Sequence, residues 1–268
     1  MKLNSGYDMP QLGIGTFMLM NHTAENAVYE AIKDGYRLVD TARIYGNERG
    51  VGKAVRRAIR EGIVRREDLF VTTKMWTSDY GYADKAIDAS LDRLGLDYID
   101  LMILHHSQPY NDVEAYQAME RAVENGKLRS IGLSNYYSVS DFDRLTNRTT
   151  VHPAVLQNEL HPFYQEPDFV RYVQDTGTVM EAWFPLGGRG DHRKLLNNPV
   201  IRNIADAHGA TEAQVILAWH LQKGYAAVPG SSNRKHIAEN FGAHNVHLSD
   251  EEMMRIDHLD TGMRFASY

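Results

Sequence analysis

The chain has 268 residues, 43% of them hydrophobic and 24% charged, with a formal net charge of −6 and an isoelectric point near 6.0. That length holds one large α/β barrel or two small domains, and it buries a sizeable core either way. The acidic balance argues against a nucleic-acid partner, and the absence of cysteine excludes disulfides, thiolate metal sites and cysteine nucleophiles.

Strand-like apolar runs alternate with amphipathic helical runs along the whole chain. GIGTF (13–17) precedes a helical segment at 23–35, and YRLVDTA (36–42) one at 47–62. DLFVTTKM (68–75) precedes 82–95, YIDLMILH (98–105) precedes 112–126, and LRSIGLS (128–134) precedes a short helix near 138–146. AVLQNEL (154–160) leads to 166–177, and TVMEAWFPL (178–186) to two helical segments at 199–208 and 211–223. YAAVPG (225–230) leads to a last short helix near 233–240. The eight strand-like runs are near-continuously apolar, as in parallel strands covered on both faces. Helical runs stop at Gly35, Gly62, Gly95, Gly126 and Gly177. Eight βα units predict an α/β (β/α)8 TIM barrel in a single domain, 1–268. An open doubly wound sheet fits less well, because Gly13-Ile14-Gly15 is followed by Met18 where G-x-G-x-x-G needs glycine. The polar, Gly-rich stretch 187–198 reads as a long loop over the barrel mouth. No apolar run approaches the roughly 18 residues of a membrane span, and MKLNSGYDMPQLG has no apolar signal core. A cytoplasmic enzyme is the expectation.

Asp40, Tyr45, Lys74 and His105 carry most of the chemistry. They lie at the ends of the second, third and fourth strand-like runs, or in the loop just beyond, and in a barrel those ends share the active-site face. Taken singly, an Asp, Lys or His at a strand end is more often a salt bridge or a cap. A charged lysine inside FVTTKMW is costly to bury unpaired, which favours a site. An ammonium beside Tyr45 would favour its phenolate, Asp40 would hold that ammonium, and His105 would polarise a carbonyl. No H-x-x-x-H or H-E-x-x-H pair appears, so no metal is expected, and no G-x-S-x-G points to a hydrolase. His152, His161 and His220 read as core or cap residues.

These runs resemble the aldo-keto reductase family over essentially the whole chain. DTARIYGNE matches the family's D-T-A-x-x-Y-G-N-E, TTKMW its strand-three lysine, and DLMILH its D-L-x-L-x-H. The bacterial branch of diketogluconate and methylglyoxal reductases is the most similar. The resemblance implies a barrel with a short N-terminal β-hairpin and hydride transfer from NAD(P)H to an aldehyde or ketone. It makes Tyr45 the proton donor, tuned by Lys74 and Asp40, with His105 orienting the carbonyl. It implies that Ser134, Asn135 and Gln157 hold the nicotinamide carboxamide and that Trp183 stacks on the ring. Gly15, Thr16 and Phe17 would back the nicotinamide ribose. Phe184 belongs to the same EAWFPLG run, where the amides of Leu186 and Gly187 would meet the pyrophosphate. The segment VPGSSNRKHIAEN would take the adenosine end through Gly230, Ser231, Ser232, Asn233, His236, Glu239 and Asn240.

Two departures stand out. The family's lysine and arginine toward the adenosine 2′-phosphate are Gly230 and His236 here, with Arg234 and Lys235 nearby to compensate. NADPH is the expected coenzyme, with NADH open. The family's H-W-P is His105-His106-Ser107, which widens or polarises a substrate pocket bounded by Trp76, His105, His106 and Tyr45. Because successive strand residues face opposite sides, His105 and His106 are not expected to reach a carbonyl equally. The sequence runs to DTGMRFASY without the long C-terminal loop of some vertebrate members, so the resemblance implies an open pocket for small, polar carbonyl substrates, and the family implies a monomer. Two other readings stay open: a coenzyme-binding sensor on the same barrel, disfavoured by the intact tetrad, and a Schiff-base aldolase using Lys74.

Overall fold

The computed structural model describes residues 1–188 and 192–266. Eight parallel strands form one sheet in the order β1 to β8: β1 Gly13–Gly15, β2 Leu38–Asp40, β3 Phe70–Met75, β4 Ile99–Leu104, β5 Leu128–Ser134, β6 Val155–Glu159, β7 Val179–Trp183 and β8 Ala226–Ala227. Parallel bridges from Leu12 to Ala227 and from Gly15 to Gly230 bring the last strand back to the first. At that seam a Cβ on Gly15 would sit 2.5 Å from the Val228 carbonyl oxygen, so only glycine allows the approach. The expected barrel is what the chain forms.

Between the strands run α1 Asn21–Asp34, α2 Glu48–Arg60, α3 Ala83–Leu94, α4 Asp112–Glu124, α5 Val139–Thr146 and α6 Pro167–Asp175. After β7 come α7 His192–Leu196, α8 Pro199–His208 and α9 Glu212–Gln222; after β8 come α10 Arg234–Phe241 and α11 Asp250–Asp257. Gly35 and Gly95 cap α1 and α3 in the left-handed conformation, φ 109° and 63°, which releases the chain toward the next strand. Two helices depart from the reading of the sequence. The stretch 187–198 is not all loop, since α7 lies within it; residues 189–191 fall outside the described residues. Helix α11 was not expected, although its capping box was legible: Ser249 and Glu252 exchange side-chain and backbone hydrogen bonds.

Side-chain alternation divides the core in two. Val39, Val71, Met102 and Leu104 point outward to the helices, in the larger cluster. Leu38, Phe70, Leu101, Ile103, Val155 and Ala226 point into the barrel, where they pack with Leu3 and Met9 of the N-terminal segment. That segment turns back on itself at Gly6, φ 90°, and the expected hairpin is reduced to a single antiparallel bridge, Lys2 to Asp8. It plugs the N-terminal end of the barrel. The apolar plug leaves the other end for polar chemistry.

Candidate active site

Continuing up the same interior faces, the apolar layer gives way to Asp40, Thr72, Lys74, Ser134, Gln157 and Glu181, all buried. The strand register sets them side by side: Asp40 opposite Thr72, Ser134 opposite Gln157, and Gln157 opposite Glu181. Lys74 reaches inward from β3. Its Nζ donates to both Asp40 oxygens at 2.7 Å, to the Thr41 carbonyl at 3.0 Å and to the Tyr45 hydroxyl at 3.2 Å. Burial by itself would depress this ammonium, but Asp40 and Tyr45 more than offset it and its pKa is raised. Lys74 therefore stays charged directly beneath the Tyr45 oxygen.

Tyr45 is held by the rest of its own motif. It sits on a single 3-10 turn, Arg43–Tyr45, closed by Gly46 at φ 69°. Asn47 then ties the surrounding loops together. Its Nδ2 donates to the Thr16 and Leu19 carbonyls, and its Oδ1 accepts from the Thr41 hydroxyl at 2.7 Å. Glu48, buried at the start of α2, accepts from Thr73 at 2.7 Å and pairs with Arg93. So the GNE that follows Tyr45 serves as the tyrosine's scaffold, a role the motif alone did not disclose.

His105 lies one residue past β4, with its ring edge-on to Tyr45 at 5.7 Å and to Trp76 at 5.0 Å. Burial, then the Lys74 charge, then His106 hold its pKa well below the ordinary histidine value. A neutral imidazole results, able to donate one hydrogen bond to a carbonyl without competing for its proton. His106, expected to border the substrate pocket without reaching a carbonyl as His105 does, lies beside it at the cavity. The two rings stack in parallel, 5.2 Å apart and 5° from coplanar, both edge-on to Trp76, and both border the same cavity. His106 has already left the strand, so strict alternation no longer governs it.

The cavity holds about 780 Å3, within the usual range for a cofactor or substrate site. It runs from Tyr45, Trp76, His105 and His106 at one end to Gly230, Ser231, Ser232, Asn233, His236, Glu239 and Asn240 at the other. Gly15, Phe17, Asp40, Ser134, Asn135, Gln157, Trp183, Phe184 and Leu186 line the middle. Phe17 bridges Tyr45 and Phe184 at 5.1 and 5.7 Å, and Phe184 meets the edge of Trp183 at 4.9 Å. This aromatic wall suits a flat ring. Asn135 and Phe184 both adopt φ values near 50–60°, unusual for residues with a Cβ, and both lie at the cavity.

Some expected contacts sit elsewhere. Thr16 is fully buried behind the wall, its hydroxyl donating to the Asp40 carbonyl at 2.9 Å. The Gly187 amide closes a turn onto the Phe184 carbonyl at 2.8 Å, and its Cα faces Phe265 and Leu195; Gly188 borders the cavity instead. Gln157 turns its amide nitrogen inward, donating to Asp40 at 2.9 Å and Glu181 at 2.7 Å, which leaves its carbonyl oxygen as the group available to a ligand. At the adenosine end, Arg234 pairs with Glu30 and Asp34, and Lys235 with Glu239. Held in these pairs, neither borders the cavity. The start of α10 is partly occupied as well, since the Asn233 side chain accepts the Lys235 amide. Thr211, Glu212 and Ala213 at the start of α9 also line the cavity. The capping signal Thr211-x-x-Gln214 marked that helix start, but nothing in the sequence tied it to the site.

A model of the aldo/keto reductase family matches residues 11–261. The chain is 42% identical to morphine 6-dehydrogenase of Pseudomonas putida, covering 98% of this chain and 91% of that protein. It is 37% identical to NAD(P)H-dependent D-xylose reductase I,II of Candida tropicalis, over 98% of this chain and 93% of the other. A crystal structure of an aldo/keto reductase from Brucella melitensis superposes with a TM-score of 0.90 at 39% identity, covering 97% of this chain and 98% of that one. The chain belongs to the aldo/keto reductase family. It is an NAD(P)H-dependent oxidoreductase acting on the carbonyl–alcohol pair. The particular branch expected from the sequence, that of the diketogluconate reductases, is not singled out by these relatives.

Proposed function

We propose that this enzyme reduces small, polar aldehydes and ketones, with Tyr45 as proton donor. The observation that carries this reading is the Tyr45 hydroxyl, 3.2 Å from a buried, charged Lys74 and beside a neutral His105 at the mouth of the cavity. Phe17, Trp183 and Phe184 would hold a reduced nicotinamide, which would supply the hydride when bound. The chain's own residues do the rest. His105 donates to the carbonyl oxygen and orients it. Tyr45 gives its proton to that oxygen as negative charge develops there. Lys74, fixed by Asp40, then donates to the tyrosinate left behind, so the charge never lies unpaired in a buried site.

The substrate class follows from His106. A second imidazole where an apolar ring would fill the pocket favours a carbonyl with an oxygen on the adjacent carbon, such as an α-dicarbonyl or α-hydroxy aldehyde. For the coenzyme, no arginine or lysine among the described residues borders the adenosine end, whereas Glu239 does. NADPH and NADH are both working coenzymes on this reading, and discrimination in favour of the 2′-phosphate is weak. The enzyme works as a cytoplasmic monomer.

Titrating each coenzyme by intrinsic tryptophan fluorescence and then assaying methylglyoxal reduction tests the proposal. Binding of both within about tenfold of each other, followed by turnover, is the expected result. Binding without turnover of any carbonyl would overturn it.

A further inference from the structure

The buried polar layer contains one acid that the mechanism above does not use. Glu181, in the middle of β7, is fully enclosed. Its Oε2 accepts from the Gln157 amide at 2.7 Å, and its Oε1 has no hydrogen-bond partner among the described residues. The same Gln157 nitrogen donates to Asp40 at 2.9 Å, and Asp40 is clamped by Lys74. Two carboxyl groups thus share one amide inside the barrel, with one ammonium between them and Tyr45.

Counting charge shows why this matters. With Glu181 neutral, Asp40 and Lys74 balance each other, and a tyrosinate at position 45 adds one negative charge that the ammonium can meet. With Glu181 ionised, the layer already carries a net negative charge before Tyr45 gives up its proton. A second negative charge there, in a low-dielectric interior, is opposed.

We propose that Glu181 is a positioning residue that sets the proton-donating strength of Tyr45 through Gln157, Asp40 and Lys74, favouring carbonyl reduction when it is protonated and opposing it when it is ionised. This rests on the reading of Tyr45 as proton donor. Burial, and next the Asp40 charge, push the Glu181 carboxyl up to about 7, against the lowering effects of the Gln157 hydrogen bond and the Lys74 charge. Among the described residues, the charged group nearest it through Gln157 is Asp40 on β2, which is paired with Lys74. Lys74 on β3 stays charged, His105 beyond β4 is held neutral, and β8 offers only Ala226 beside Glu181. The enzyme thereby carries a built-in bias: reduction is strongest below neutrality, and the reverse oxidation, which needs Tyr45 as a base, gains above it.

Glu181→Gln keeps the shape and the contact with Gln157 but cannot ionise. In the wild type, kcat/KM for methylglyoxal reduction should fall roughly fivefold to tenfold between about pH 6 and about pH 8.5. In Glu181→Gln most of that fall should vanish, with KM for the coenzyme little changed. An equally steep fall in both proteins would overturn the proposal while leaving the reductase reading intact. A wild type that reduces no carbonyl at any pH would instead bring down the reductase reading. A second measurement does not depend on turnover or on the variant's folding. The infrared carbonyl band of a buried, protonated carboxyl should be present in the wild type at acid pH and disappear through neutrality. A wild type in which no such band titrates near neutrality would also overturn the proposal.

Discussion

The two ends of the barrel interior are built from the same strands and differ in almost everything else. In β3, Phe70 belongs to the apolar plug and Lys74, four residues on and on the same face, to the site. In β2, Leu38 and Asp40 stand in the same relation, only two residues apart. The plug draws its stability from burial, which is non-directional and tolerates similar shapes. The polar layer is different. A buried ion pair such as Asp40–Lys74 contributes little net stability over an apolar pair, yet losing one partner is severe because the other is left unmatched. One end of the barrel holds the fold; the other holds charge in place for chemistry.

That contrast can be attacked from either side. The largest effect is expected at Tyr45→Phe, which should lower reductive turnover by about a hundredfold to ten-thousandfold. Its melting temperature and coenzyme titration should stay near those of the wild type. Full turnover in that variant would remove Tyr45 from the mechanism. Lys74→Met should lose activity and also destabilise by about 3–5 kcal/mol, because Asp40 is left as an unpaired buried charge. Adding Asp40→Leu should restore much of that stability in urea denaturation, with no return of activity. Recovery of turnover would blur the line between the two halves.

At the apolar end, Leu101→Ala should cost about 2–4 kcal/mol of stability and leave kcat/KM within about twofold. A large catalytic loss there would mean that the plug is coupled to the site. A smaller change is expected from Gly230→Lys combined with His236→Arg, tightening NADPH about tenfold with little effect on NADH. Equal effects on both would show that these positions do not face the 2′-phosphate. The smallest is His106→Phe, which should raise KM for methylglyoxal by roughly fivefold, the loss of about one hydrogen bond, and leave propanal unchanged.

Much of this was legible in the chain. The eight strand positions follow from apolar runs between glycine-terminated helices, and Asp40, Tyr45, Lys74 and His105 follow from the places those runs end. What escaped did so for particular physical reasons. The Thr211–Ala213 stretch reaches the cavity from a different βα unit, and no local pattern records which helix starts converge. The stacking of His106 on His105 depends on where β4 stops, and strand ends are the least determined points of a sequence reading. Arg234 looked available to a phosphate because its acidic partners Glu30 and Asp34 lie some two hundred residues earlier, on α1.

By itself the sequence determined the barrel and which four residues stand together at its polar mouth, because hydrophobic period and strand-end position are local properties. Only the tertiary structure decided how charge is distributed among them. Glu181 reads in the sequence as one acid in EAWFPL. The register of β6 against β7, and the reach of Gln157 across the barrel to β2, put it within one amide of Asp40. Electrostatic coupling depends on distance through a dry interior, and that distance exists only once the barrel has closed.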